Sequence, residues 1–407
     1  MPLTDLVAGT IVAKPYLSFA RVLARSFQAA HPGVPFFVLL ADDVGGCFDP
    51  ASEPFRLVRL DDLAIPAIER FRFHYSQQPL SYASTPYFLA HLLDAGAKRV
   101  AFFKQESLVL GDHSSFFDLL ARHSIVLTPH LVAPLEGPDR LARELNILQS
   151  GIFNVGLLGV ADSPATRLFL RWWQDRVHAD CRHSVPEGIH FEQRWLDLVP
   201  GFFEGVHVLR DPAYNIGHWN LPERAVQVRH GRVFAGDRPC ALFRFSGYRP
   251  EAPQTPTRYS PRLTWENIGP ARVVFERFLA ALDREGYGET SRWPYSYARF
   301  DNGVLIADTV RAIYRQLGDG VEAFGDPLRT VSDGSFFNWL NAPADSETSP
   351  SRRVTRLWAA VHRARSDLQA AFPDPLGADR ERFLAWTVSY GLREHELTMA
   401  FVPDPRS

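Results

Sequence analysis

With 407 residues, 46% of them hydrophobic and 22% charged, the chain has an ordinary globular composition and room for a large core and more than one domain. Its 44 basic and 46 acidic residues leave a formal net charge of -2, which argues against a surface that coats nucleic acid and against a polybasic membrane anchor. Cys47, Cys181 and Cys240 form neither a disulfide framework nor a metal spacing, so a reducing, cytoplasmic setting is expected. The N-terminal stretch lacks a basic start and its apolar run is broken by Lys14 and Arg21, so neither a signal peptide nor a transmembrane segment is expected.

Residues 8–14 read as a first strand. From Tyr16 to Ala30 apolar residues recur at helical spacing, with Arg21, Arg25 and Gln28 on the other face, and His31-Pro32-Gly33 ends the helix. Residues 36–41 are an unbroken apolar run ending in Asp42-Asp43, a second buried strand. Strand, helix and strand with short joints predict a βαβ unit, a parallel sheet and an α/β class. A third strand is expected over 55–60 and a helix over 83–93. Further expected elements are a short helix at 114–122, strands at 124–130 and 152–160, and a helix capped by Ser163 with Pro164 in its first turn. A second short helix is expected to carry Glu192, Trp195 and Leu196, and later strands are expected at 206–209 and 241–245. After about Tyr248 a Pro- and Thr-rich connector leads to helical patterns at 270–284, 304–317, 353–371 and 379–390, with an exposed loop over 343–351. Residues 1–250 are therefore read as an α/β domain and 251–407 as a mainly helical part.

The chemistry concentrates in Arg99 to Asp112. The apolar run 100–103 breaks into Lys104-Gln105-Glu106 and resumes as Leu108-Val109-Leu110. Ligands of open α/β sheets sit at the carboxyl ends of strands, so these three polar residues are the first site candidates. Asp42 and Asp43 occupy the same kind of position. They suit ribose hydroxyls, or, with Gly45-Gly46, a turn. Asn154 lies on a Gly-flanked strand where small neighbours permit close approach of a ligand; alternatively it is a buried amide satisfied by backbone. Trp172 and Trp173 read as core, and His183 and His190 have no metal spacing.

Several segments, taken in order, carry a resemblance. They are Ile11-Val12-Ala13-Lys14 with Ala20-Arg21-Val22-Leu23 and His31-Pro32, then Leu127-Thr128-Pro129-His130 and Ser150-Gly151-Ile152-Phe153-Asn154-Val155-Gly156. Gln193-Arg194-Trp195-Leu196-Asp197, Tyr214-Asn215 with Trp219-Asn220-Leu221, Phe245-Ser246-Gly247, Phe300-Asp301-Asn302-Gly303 and Phe324-Gly325-Asp326-Pro327 continue it. Together they resemble bacterial GT-A-type glycosyltransferases over nearly the whole chain. The resemblance implies a GT-A fold with a mainly helical C-terminal extension. It also implies transfer of a sugar from a nucleotide-sugar donor to a glycan or protein acceptor, with a partner glycosyltransferase as a further expectation.

In this register the metal-binding Asp-x-Asp of the family falls on Lys104-Gln105-Glu106, and the His expected before Phe245 falls on Arg244. The family's Asp-Gln is Glu192-Gln193, the Asn after Lys14 is Pro15, and an upstream Glu and Lys appear as Pro79 and Thr85. Lys104 and Arg244 offer hydrogen-bond donors only and ligate no metal, yet both are cations. They are expected to hold the donor diphosphate, with no divalent metal and no other cofactor. Glu106 is expected to bind a sugar or ribose hydroxyl or to pair with Lys104. Ala13, Asp42 and Asp43 are placed on the nucleotide, His130, Asn154, Asn215, Trp219 and Asn220 on the sugar and acceptor. Glu192 is the expected general base of an inverting transfer. The alternative is a non-catalytic GT-A scaffold that binds a nucleotide, a glycan or a partner; a purely structural module is a third, weaker class.

Overall fold

The structure, a computed structural model, describes residues 4–221, 223–345 and 353–403. Two compact units emerge, one of residues 1–65 with 81–295 and one of residues 66–80 with 296–407. The division therefore falls at 295 and not near 250. The reason is visible in the helix Arg272–Arg284, which packs on the first unit: the Phe278 ring stacks on Phe245 with centroids 3.7 Å apart and lies 5.8 Å from Phe19.

The first unit is built on seven strands. β1 (Leu6–Val12), β2 (Phe36–Leu40), β3 (Arg56–Arg59), β4 (Arg99–Phe103), β6 (Ile125–Pro129), β7 (Phe153–Ala161) and the strand Val206–Val208 form one sheet. Its spatial order is Val206–Val208, β6, β7, β4, β1, β2, β3. β1 lies parallel to both β2 and β4, β2 is parallel to β3, and Val206–Val208 is parallel to β6. Only β7 runs antiparallel, between β4 and β6. The mixed α/β class and the parallel βαβ start agree with the sequence reading. Between β1 and β2, helix α1 (Leu17–Ala30) buries Leu17, Ala20, Leu23, Ala24 and Phe27. Phe27 meets Phe36 and Phe103 at 5.2 and 5.5 Å, which fixes the helix on the sheet. Ser163 caps the helix Pro164–Ala179 as expected, its Oγ accepting from Thr166 N at 3.1 Å.

One feature of the chain trace creates the site. The run from Arg99 to Leu110 does not continue as one strand. β4 stops at Phe103, and β5 (Ser107–Val109) leaves the central sheet to pair antiparallel with the strand Leu242–Arg244, with Arg244 opposite Ser107. Lys104-Gln105-Glu106 is the corner between them. That corner delivers Arg244, 140 residues later in the chain, to the carboxyl end of β4.

The second unit is mainly helical, with helices Asp308–Gln316, Phe336–Asn341, Arg356–Ala364, Ser366–Ala371 and Arg380–Trp386. Its core gathers Phe73, Tyr314, Phe336, Trp358 and Phe383. The buried Arg311 donates to Phe73 O at 2.7 Å and to Tyr297 O at 2.6 Å. The helix expected over 353–371 is two helices, because Arg365 takes an extended backbone (φ -124, ψ 108) between them. The loop expected at 343–351 lies outside the described residues from 346 onward. Among the described residues no helix is long and apolar enough to cross a membrane.

Candidate functional site

Four charged side chains meet at the corner after β4, in two ion pairs. Lys104 Nζ lies 2.8 Å from Glu192 Oε1, and the Arg244 guanidinium lies 3.7 Å from Glu106 Oε2. The pairing is crossed relative to the sequence expectation, in which Glu106 was the partner open to Lys104. Plainer roles for both members of the first pair are excluded by burial. The Lys104 side chain is 11% exposed rather than a solvated strand end, and Glu192 is completely buried rather than on a helix surface. Glu192 is also not part of the following short helix, which begins at Arg194.

The backbone at Glu192 is locked on both sides. Phe191 holds a left-handed φ of 48°, a conformation that is costly for an aromatic residue and must be maintained by its surroundings. Glu192 O accepts from Trp173 Nε1 at 3.0 Å. Gln193 ties the segment to β7: its Oε1 accepts from Val155 N at 3.2 Å and its Nε2 donates to Ser150 O at 2.9 Å. Under Lys104 lies the ring of Tyr82, 3.6 Å from Nζ, a cation–π contact.

Arg244 is buried but loosely held. Nη1 donates to Asn154 Oδ1 at 3.4 Å, and Nε meets no acceptor. Burial pushes its guanidinium below the usual value, opposed by Glu106, Tyr82 and Glu192. Glu106 Oε2 and both Glu192 carboxylate oxygens receive no hydrogen bond, although Lys104 sits within ion-pair distance of one of them. Buried charges with unspent hydrogen-bonding capacity are costly, and they gather at functional sites.

A polar chain runs inward from Arg244. Asn154 Oδ1 also accepts from Gly156 N at 2.7 Å, which fixes the amide so that Nδ2 faces His130 Nε2 at 2.8 Å. The His130 proton is then on Nδ1, which donates to Ile152 O at 3.3 Å. Asn154 thus spends its amide on protein groups. The small neighbour Gly156 admits the Arg244 guanidinium, since a Cβ there would lie 1.6 Å from Nη1. Asn215, Trp219 and Asn220 stand behind His130. Asn220 Nδ2 donates to His130 O at 2.8 Å and Asn215 Nδ2 to Pro129 O at 3.4 Å, and the Trp219 ring lies 5.2 Å from that of His130. The buried amide nitrogens bind backbone and brace the end of β6.

Asp42 is buried and engaged by Lys14, which donates to it through the backbone at 3.2 Å and lies 3.4 Å away through Nζ. Asp43 Oδ1 accepts from Gly45 N at 2.7 Å, the turn-forming role. Ala13 is buried just past β1, on the same sheet edge. Tyr82, Phe191 and Gly156 were missing from the sequence reading as site residues. The glycine was visible in the sequence, but its partner is an arginine rather than a ligand.

The divalent ion that the resemblance implies finds a poor donor set. Two of the groups at its place are cations that donate only. Among the described residues no three His, Cys, Asp or Glu side chains are grouped to hold a metal ion. His183 and His190 face each other with ring centroids 5.0 Å apart and gain no third partner of that kind.

Four histidines here and beneath the sheet are kept neutral. Burial pushes His113, His130 and His190 down to about 3 and His218 down to about 4. Unfolded histidine titrates at about 6.5, so the unfolded chain binds more protons than the folded one as pH falls from about 6.5 toward 3. Stability from these groups is present above pH 6.5 and is lost on acidification, by about 1–2 kcal/mol per histidine between pH 7 and 5. Urea unfolding at the two pH values should show this loss, and His113→Phe should remove one histidine's share. A stability that is flat between pH 7 and 5 would contradict it.

No family model matches the chain. The protein named "Uncharacterized protein YfnF" from Bacillus subtilis (strain 168) is 24% identical over 257 residues, which span 59% of this chain and 80% of that protein. "Uncharacterized protein YfnD" from the same organism is 23% identical over 202 residues, 48% of this chain and 62% of that protein. Among solved structures, galactosyltransferase LgtC in complex with donor and acceptor sugar analogs is 17% identical with a TM-score of 0.39, covering 68% of this chain and 95% of its own. The glycosyltransferase GlyE in Streptococcus pneumoniae TIGR4 is 12% identical with a TM-score of 0.42, covering 73% of this chain and 67% of its own.

Proposed function

We propose that this chain is a GT-A-type glycosyltransferase whose donor diphosphate is held by Lys104 and Arg244 without a divalent metal. The observation that carries the reading is the convergence of two buried or nearly buried cations on one strand-end corner, with Arg244 Nε unspent. Leaving of a nucleoside diphosphate builds negative charge on its oxygens, and preorganised cations at that point stabilise it by roughly 3–4 kcal/mol per donor. A guanidinium suits the task because its planar fork meets two phosphate oxygens at once. In the transfer, the bond between the anomeric carbon and the diphosphate oxygen breaks and a bond to the acceptor hydroxyl oxygen forms. The hydroxyl proton passes to Glu192 and the nucleoside diphosphate departs as the anion. The acceptor is a glycan or a protein, and the setting is cytoplasmic.

A second reading, a non-catalytic scaffold, is favoured by one observation: Lys104 is already neutralised by Glu192 at 2.8 Å. Turnover separates the two. Incubation with UDP-, GDP-, dTDP- and CMP-sugars and glycan acceptors in EDTA should release free nucleotide from one donor. Glu192→Gln should slow that release by about a hundredfold or more while leaving donor binding in place. Absence of release with every pair of substrates would favour the scaffold.

A further inference from the structure

Resting on that reading of the site, we propose that donor binding switches on the base: the Lys104 ammonium moves from Glu192 to the incoming diphosphate, and Glu192, left buried without its cation, gains affinity for a proton at that step. In the free protein the carboxylate is completely buried, and Lys104 at 2.8 Å is its nearest cation. Its second oxygen receives no hydrogen bond. The other groups that face it replace Lys104 poorly. Arg244 acts on it from the strand Leu242–Arg244 but pairs with Glu106 at 3.7 Å and donates to Asn154 at 3.4 Å. Cys181 is a buried thiol, and His190, on the Lys104 side, is kept neutral by burial.

The two partners differ in freedom. The Glu192 backbone is held by the left-handed Phe191 and by Trp173, and its carboxylate is completely buried. Lys104 carries its ammonium on a flexible stem, 3.6 Å from the Tyr82 ring centre in the free protein. A cation that leaves a fixed buried carboxylate makes it a stronger base, because burial disfavours the charged form and the compensating charge has gone. With an acceptor present, the proton comes from the hydroxyl as the new C–O bond forms. Without an acceptor it comes from water.

The test is calorimetric titration of the full chain with UDP-glucose, GDP-mannose and dTDP-glucose in two buffers of different ionisation enthalpy near neutral pH. The diphosphate of such a sugar nucleotide has no titration there, so proton uptake reports on the protein. We expect net uptake of up to about one proton per donor bound, lost in Glu192→Gln and reduced in Lys104→Met, whose Glu192 lacks its cation before the donor arrives. Binding with equal uptake in the native chain and Glu192→Gln would overturn the coupling and leave the donor site standing. Failure of all three donors to bind the native chain would overturn the donor site and the coupling together.

Discussion

Arg244→Ala should weaken nucleoside diphosphate binding by about ten- to a hundredfold, the loss expected when a charge-assisted hydrogen bond of about 1.5–3 kcal/mol is removed. The effect is large because the guanidinium is already desolvated: Arg244 is 3% exposed, so its charge acts in a medium of low effective dielectric. It stands between Asn154 Oδ1 at 3.4 Å and Glu106 Oε2 at 3.7 Å, and its buried Nε meets no acceptor. Arg244→Lys recovers only part, because a point charge on a flexible stem cannot meet Asn154, Glu106 and two phosphate oxygens together. Equilibrium binding of UDP and GDP to the three proteins checks this. Equal affinities in all three would remove Arg244 from the site.

Gly156→Ala should be nearly as damaging, although alanine is less unfavourable in a strand than glycine. The added Cβ would lie 1.6 Å from Arg244 Nη1, 2.6 Å from its Cζ and 2.3 Å from Asn154 Oδ1. Asn154 cannot yield without breaking its bonds to Gly156 N and His130, so the guanidinium must leave. Overpacking of this kind costs about 1–3 kcal/mol of stability. The diagnostic is therefore a loss of nucleotide affinity close to that of Arg244→Ala in a chain that still unfolds cooperatively. Native affinity in Gly156→Ala would show that the guanidinium is not needed where it stands.

The sequence made the framework legible because the framework is local. The helical period of residues 16–30, the apolar runs of β2 and β4 and the Ser163-Pro164 cap all express forces acting within a few residues. It also put Lys104 and Arg244 forward together, through the register of the resembling segments. What it did not carry was long-range pairing. The alignment of Ser107–Val109 with Leu242–Arg244 sets Arg244 near Gly156, and the left-handed Phe191 immediately precedes Glu192 where it meets Lys104. The crossed ion pairs and the use of Asn154, Asn215 and Asn220 for backbone support follow from that packing. So does the division at 295, which depends on Phe278 finding Phe245.

Lys104 and Arg244 are proposed to hold the diphosphate in place of a metal. Thermal unfolding of the purified chain with UDP, GDP, dTDP and CMP and their sugars, in magnesium or manganese and again in EDTA, tests it most directly. At about a hundred times the dissociation constant a ligand stabilises by roughly 2.7 kcal/mol, a readily measured shift. A shift that persists in EDTA and shrinks sharply in Lys104→Ala and Arg244→Ala is predicted. A shift that appears only with magnesium or manganese would contradict it.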